Sequence, residues 1–188
     1  MKPSAAPDST AESLLEPRDI ADLLNYRLFS LLAFSGAAVI RLCEGKYGIS
    51  RREWHIVAIL AKHQSLAPSD ISTLTHLDRA RVSRAITQLR EKELLHREPC
   101  PGDQRRAQVR LTAHGERLYR HLFREVAKLN TALTSTLDPA FVAQFDAALD
   151  QLTERAKILA QETAPGIHAN RWRGRGQRRP WDSTNLEP

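Results

Sequence analysis

Residues 77–112 have the sequence LDRARVSRAITQLREKELLHREPCPGDQRRAQVRLT, and this stretch decides the fold. Val82, Ile86 and Leu89 recur at i, i+4 and i+7, which predicts a helix with one face packed on a core. The arginines of that helix then face outward: Arg79, Arg81, Arg84 and Arg90. Alternation in 95–98 and 107–111 predicts two paired strands, joined by a Pro- and Gly-containing turn. A helix sized for the major groove beside a cationic loop is typical of nucleic-acid binding.

The residues before this stretch predict two further helices. Ser50 and Glu53 form a capping box at the start of the first helix. Pro68 suits the first turn of a second, short helix that runs to about Leu74. Asp78 is then a good N-cap for the basic helix. Two short helices joined by a tight turn, the second of them basic, indicate a helix-turn-helix, and the hairpin is its wing.

Long apolar-striped helices flank this unit. The first is predicted from about Arg18 to Gly45 and Gly48; its apolar middle predicts burial on several sides. After the wing, Thr112 caps a helix that begins near Ala113, and Asp138-Pro139 starts a final one. These stripes exceed what a winged helix of this size needs, which favours a homodimer; the alternative is a monomer whose long helices fold onto one another.

The predicted organisation therefore has five segments in a mainly α fold with a small β-hairpin wing and a helical dimerisation domain. They are a disordered arm (1–16), a dimerisation helix (17–49), a winged helix-turn-helix domain (50–112), C-terminal dimerisation helices (113–163) and a disordered basic tail (164–188). The tail carries arginines that either add phosphate contacts or form a solvated end.

Composition restricts the function classes. The chain has 188 residues, a net charge of +6 and a pI near 9.7, a balance that favours polyanionic partners. The longest uncharged stretch, Leu28–Ile40, is 13 residues and too short for a bilayer span, and the N-terminus lacks signal-peptide order. A cytoplasmic protein without cofactor is therefore expected. An enzyme is not, because no H-E-x-x-H motif, nucleophile elbow or phosphate loop occurs.

The wing and the helices before it resemble a known family. Asp103-x-Arg105 followed by Val109-Arg-Leu111-Thr112 and Gly115 resembles the D-x-R…V-x-L-T…G signature of MarR-type winged helix-turn-helix regulators. Ser50 to Leu118 follows the order of that family's DNA-binding domain. Three positions depart from it. Glu93 stands where the family usually has glycine, and Ala80 and Arg81 stand where small polar residues are common.

The resemblance implies a homodimer that binds palindromic double-stranded DNA and represses nearby genes. On the exposed side of the basic helix, four residues are candidates for base contact: Arg81, Ser83, Arg84 and Thr87. Arg79 and Arg90 are expected to hold phosphates. At the wing, Arg105 is expected to enter the minor groove, with Asp103 holding Arg105 or the loop and Arg106 on a phosphate.

Many such proteins release DNA when a small aromatic acid or phenol binds between the dimerisation and DNA-binding regions. The candidate effector contacts are Asn25, Arg27, Phe29, Ser30, Phe34, Trp54 and His55. Arg27 with Ser30 would take a carboxylate, and Phe34 with Trp54 would flank the ring.

Two alternatives remain. A non-specific architectural DNA-binding protein would also be basic, but it would not prefer one palindrome. A thiol switch at Cys43 or Cys100 is the other input; their spacing indicates neither a metal site nor a redox pair.

Overall fold

The computed structural model describes residues 12–100 and 103–163; side chains are described for 14–98 and 107–163. The elements before the helix-turn-helix are α1 (Glu12–Leu15), a 3₁₀ turn (Ile20–Asp22), α2 (Leu24–Arg41) and a π-helical turn (Leu42–Lys46). The winged-helix region contains α3 (Arg51–His63), β1 (Ser65–Leu66), α4 (Pro68–Thr75), α5 (Arg79–Glu91), β2 (Leu95–Cys100) and β3 (Asp103–Leu111). Two long helices follow, α6 (Ala113–Thr134) and α7 (Pro139–Glu162).

The fold class predicted from the sequence is confirmed, with one addition. The sheet has three antiparallel strands in the order β1-β3-β2. Leu95 pairs with Leu111 across the hairpin, and Ser65 pairs with Arg110 on the other edge of β3. The sequence did not predict β1, because a two-residue strand is too short to show alternation.

The predicted helix caps are also confirmed. The hydroxyl of Ser50 accepts from the amide of Glu53 at 3.2 Å, and the Glu53 carboxylate accepts from the amide of Ser50 at 2.6 Å. Asp78 accepts from the amide of Arg81 at 2.8 Å. Asp138 accepts from the first amides of α7. These local interactions satisfy amide groups that a helix start leaves without partners.

One hydrophobic core holds the winged-helix region together. Leu60 of α3, Ile71 of α4, Leu89 of α5, Val109 of β3 and Leu122 of α6 are all fully buried. Each comes from a different element, and α5 itself packs against α3, α4 and β2, so two helices and the sheet hold its inner side. The basic helix therefore has a fixed orientation.

The N-terminal helix differs from the prediction at both ends. Glu12–Leu15, in the segment expected to be a disordered arm, form one helical turn. The long helix begins at Leu24 and not at Arg18, because Asp19 accepts from the amide of Ala21 and starts a separate 3₁₀ turn. At the other end, the helix passes into a π-helical turn before Gly48, whose φ of +62° ends it.

Helix α2 is less covered than predicted. Gly36 is its buried residue, whereas Phe29 and Phe34 are 68% and 83% exposed. The apolar middle therefore finds no complete cover within one described chain. By length and composition, the continuous stretch Leu24–Lys46 also suffices to cross a membrane, a test that core helices of soluble proteins pass equally.

The chain divides into two compact units, Met1–Thr134 and Ser135–Pro188. The second contains α7, on which Phe141 and Phe145 stack at 6.3 Å and are 50% and 40% exposed. The predicted arm at 1–11 and the basic tail at 164–188 lie outside the described residues.

Candidate DNA-binding surface and effector cavity

Helix α5 has a buried inner face and an exposed outer face. Val82, Ala85, Ile86 and Leu89 are buried against the core. The predicted DNA contacts of this helix are all exposed: Arg79, Arg81, Ser83, Arg84, Thr87 and Arg90. The structure thus brings these six side chains together on one convex, cationic surface.

Each flank of α5 adjoins a different element. On one side, Thr87 and Arg90 line a groove against the base of the hairpin, where Arg97 joins them. On the other side, Arg81 and Arg84 line a small cavity together with Arg52 of α3. Neither Arg52 nor Arg97 was predicted from the sequence as a DNA contact.

The wing carries the remaining predicted DNA contacts. Asp103, Arg105 and Arg106 belong to the first residues of β3, next to the turn. Their side chains, and that of Cys100, lie outside the described residues, so their roles stay predictions.

The corner between α5 and the hairpin contains Glu93, where the family pattern has glycine. Glu93 adopts a φ of +57°, the left-handed conformation that glycine reaches without strain. Its carbonyl accepts from the hydroxyl of Thr112 at 2.7 Å, and the amide of Thr112 donates to the carbonyl of Leu94 at 3.0 Å. These bonds hold the corner closed and offset the strain at Glu93.

A second cavity, of about 500 Å³, lies between α2, α3 and α6. This volume is in the range of small-ligand sites. Three predicted effector contacts line it: Phe34, Trp54 and His55. Four others do not: Asn25, Arg27, Phe29 and Ser30. Trp54 is 6% exposed and stacks on Tyr119 of α6 at 5.8 Å, which fixes its ring as a wall.

The cation in this cavity is Arg51, a residue that the sequence analysis did not name. A Cβ placed on Gly36 would lie 3.0 Å from Nη1 of Arg51, so the guanidinium rests against the α2 backbone. No carboxylate of the described residues forms an ion pair with it. Partial burial lowers the pKa of the neighbouring His55, and the positive charge of Arg51 lowers it further.

Two of the arginines that were not predicted, Arg51 and Arg52, do have a signal in the sequence. Arg51 and Arg52 are the first two residues of α3, where the positive end of the helix dipole disfavours cations by about 0.3–1 kcal/mol each. Two adjacent arginines at such a position indicate a role other than helix stability.

Cys43 is unsuited to a thiol switch. It is completely buried, and burial, followed by the charge of Glu44, raises the pKa of its thiol, against a smaller opposing effect of Arg51. The thiolate is the reactive species, so these surroundings oppose reaction with an oxidant.

Comparisons with known proteins agree with this geometry. Residues 47–106 match the model of the MarR family. The chain is 29% identical over 110 residues to the HTH-type transcriptional regulator FarR of Neisseria gonorrhoeae, covering 58% of this chain and 73% of FarR.

Solved structures show the same fold. NadR in complex with 4-hydroxyphenylacetate has a TM-score of 0.61 and 25% identity, over 69% of this chain and 92% of NadR. The MepR–DNA complex of Staphylococcus aureus has a TM-score of 0.63 and 21% identity, over 71% of this chain and 99% of MepR. The matched domain, the homologous regulator and the shared fold all indicate the same family. Residues 47–106 therefore form a domain of the MarR family, in a chain that shares the fold of winged helix-turn-helix transcriptional regulators.

Proposed function

We propose that this regulator is a homodimeric repressor that binds a palindromic operator and is released by a small aromatic acid or phenol. The observation that carries the proposal is the orientation of α5. Its apolar face is sealed in the core, and its polar, arginine-rich face is free along the whole helix. A helix held in this way fits the major groove, which is about 12 Å wide.

Within this proposal, the exposed side chains of α5 divide by chemistry. Ser83, Arg84, Arg81 and Thr87 are the candidates for base contact, since arginine matches the two acceptors of guanine. Arg79 and Arg90 bind phosphates, which position the helix without specifying sequence.

A homodimer is supported by the apolar surface that remains uncovered. Phe29 and Phe34 of α2, Phe123 of α6, and Phe141 of α7 are at least half exposed. Such aromatic area on several long helices is typical of an interhelical interface. Two-fold symmetry would place two copies of α5 about one DNA turn apart, roughly 34 Å. The segments 17–49 and 113–163 are thus proposed to dimerise, and 50–112 to bind DNA.

The wing should add a large share of affinity. We expect Arg105→Ala to weaken operator binding by about 10- to 100-fold, because a minor-groove arginine is lost at a site of concentrated negative potential. A gel-shift titration measures the affinity, and size-exclusion chromatography should show an unchanged dimer. Arg124→Ala, at an exposed position on α6, is the matched control. Equal affinity of the Arg105 variant and wild type would contradict the assignment.

The effector proposal rests on the cavity between α2, α3 and α6. It combines an apolar wall, Trp54, with a cation that no described carboxylate neutralises, Arg51. An aromatic carboxylate matches both, and NadR, which shares the fold, was solved with 4-hydroxyphenylacetate. We therefore assign the anion to Arg51, with His55 beside it, and not to Arg27.

This assignment can be tested with a matched pair of variants. We expect Arg51→Met to reduce the affinity for 4-hydroxyphenylacetate or a related aromatic acid by about tenfold or more, since a charge-assisted hydrogen bond is lost. Arg27→Met removes an exposed cation from the same region and should have no effect. Isothermal titration calorimetry measures both. Equal losses in the two variants, or a loss only with Arg27→Met, would overturn it.

The function as a whole is tested by selecting bound sequences from random DNA, with and without a panel of aromatic acids. A regulator should prefer one palindrome by about 10³-fold or more, and an acid should weaken that binding. Binding without sequence preference would instead indicate the architectural alternative. If the protein prefers one palindrome but no acid weakens that binding, the repressor proposal stands and aromatic acids are excluded as its effectors.

A further inference from the structure

A cluster of arginines lies on the side of α5 that faces α3. Arg81, Arg84 and Gln88 of α5 and Arg52 of α3 line a cavity of about 170 Å³ with Ala85 at its base. All four polar side chains are exposed, whereas Ala85 is buried. We call this the arginine cleft. Its size suits one phosphate group and not a drug-sized ligand.

Among the described residues, carboxylates balance only part of the charge of the cleft. Arg81 is held by Asp78 at 3.2 Å, but neither Arg52 nor Arg84 forms an ion pair with a described residue. No carboxylate lines the cleft. Like charges repel, and Arg52 also stands at the positive end of α3, so an anion would relieve both unfavourable terms. Guanidinium groups and an amide together supply donors that fit a phosphate oxyanion.

The source of the phosphate follows from the position of the cleft. A helix with its side chains is about 10–12 Å across, so in a groove about 12 Å wide each flank faces a sugar–phosphate backbone. One flank of α5 has Arg90 and Arg97 near the wing. The arginine cleft occupies the opposite flank, where the other strand would pass.

We propose that the arginine cleft binds a backbone phosphodiester of DNA, with Arg52 as a contact from outside the recognition helix. This inference rests on the proposed DNA-binding function. It assigns Arg81 to phosphate, while Arg84, whose guanidinium has five donors, can also reach a base. Arg52 then contributes affinity but no sequence preference.

The test compares Arg52→Gln with the control Arg124→Gln in the full chain. Fluorescence anisotropy would measure binding to the selected operator and to random DNA between about 50 and 300 mM KCl. Arg52→Gln should weaken both by a similar factor and reduce the slope of log K against log salt by about 1. Its melting temperature should match or slightly exceed that of wild type, because Arg52 is unfavourable at the positive end of α3. Unchanged affinity and slope, or a loss confined to the operator, would overturn the proposal.

A second experiment distinguishes a phosphate of DNA from free phosphate as the ligand of the arginine cleft. Inorganic phosphate is titrated against chloride at matched ionic strength while the melting temperature of the DNA-free protein is followed. Stabilisation of wild type but not of Arg52→Gln, together with an unchanged salt slope for DNA binding, would assign the cleft to a free oxyanion and overturn the DNA assignment; a reduced slope supports it. Wild-type binding without operator preference would refute the proposed regulator, whereas the salt slope on random DNA would still decide the role of Arg52.

Discussion

Gly115→Ala is expected to lower the free energy of unfolding by about 3 kcal/mol or more. A Cβ at this position would lie 2.2 Å from the carbonyl oxygen of Leu94 and 3.2 Å from a methyl group of Leu111. The oxygen belongs to the backbone and accepts from the amide of Thr112, so it cannot move aside without breaking that bond. Because Leu94 and Thr112 flank the hairpin and close the corner between α5 and the hairpin, the methyl group would force apart the elements that fix the hairpin.

Urea denaturation followed by circular dichroism measures this effect, and Gly45→Ala is its matched control. Gly45 is also helical, but nothing lies within 4 Å of an added Cβ. There the same substitution should be neutral or stabilising by about 0.5–1 kcal/mol, because alanine loses less backbone entropy in a helix. Equal stability of Gly115→Ala and wild type would show that the corner can open without cost.

The features predicted correctly from the sequence are those decided by neighbouring residues. The cap at Ser50, the start of α4 at Pro68 and the N-cap at Asp78 depend on side chains within three positions of the helix start. Gly115 was noticed as part of a family signature, but its reason is the close approach of Leu94, 21 positions earlier in the chain. That reason required the fold.

The residues of the proposed effector cavity also could not be predicted from neighbouring residues alone. Arg27 and Arg51 are equally plausible cations in sequence, since each lies on a helix that faces the cavity region. Only the packing of α3 on α2 distinguishes them, because it places the guanidinium of Arg51 against Gly36. Phe34, a candidate effector contact, lines the cavity, although at 83% exposure it lies at the open edge and not in a closed wall, and its role stays a prediction.

Helix α5, the proposed recognition helix, is also fixed at its C-terminal end, by a buried charge. Glu53 is 2% exposed, and one of its carboxylate oxygens completes the α3 capping box. The other accepts from the ammonium of Lys92 at 2.8 Å, and Lys92 also donates to the carbonyl of Gly48 at 2.9 Å. Lys92 directly follows α5, so these bonds join the end of the recognition helix to the beginning of α3.

Lys92→Met should therefore cost about 3 kcal/mol of stability, near the lower end for buried pairs because the lysine side chain is 37% exposed. Methionine keeps the length of the side chain but leaves the buried carboxylate without its cation. The control is Lys46→Met, since Lys46 pairs with Glu125 at the surface, where solvent screens the charges and the effect should be small.

A double-mutant cycle gives the sharper result. Glu53→Gln/Lys92→Met buries no charge, and glutamine still offers an oxygen to the capping box, so the double variant should be more stable than Lys92→Met alone. Because Arg51 and Arg52 belong to the same first turn of α3, loosening of this turn should also weaken operator affinity and the response to an aromatic acid together. Denaturation, anisotropy and calorimetry on the four proteins of the cycle measure these quantities. Additive stability losses with unchanged DNA binding would show that the Glu53–Lys92 pair neither holds the recognition helix nor connects it to the cavity.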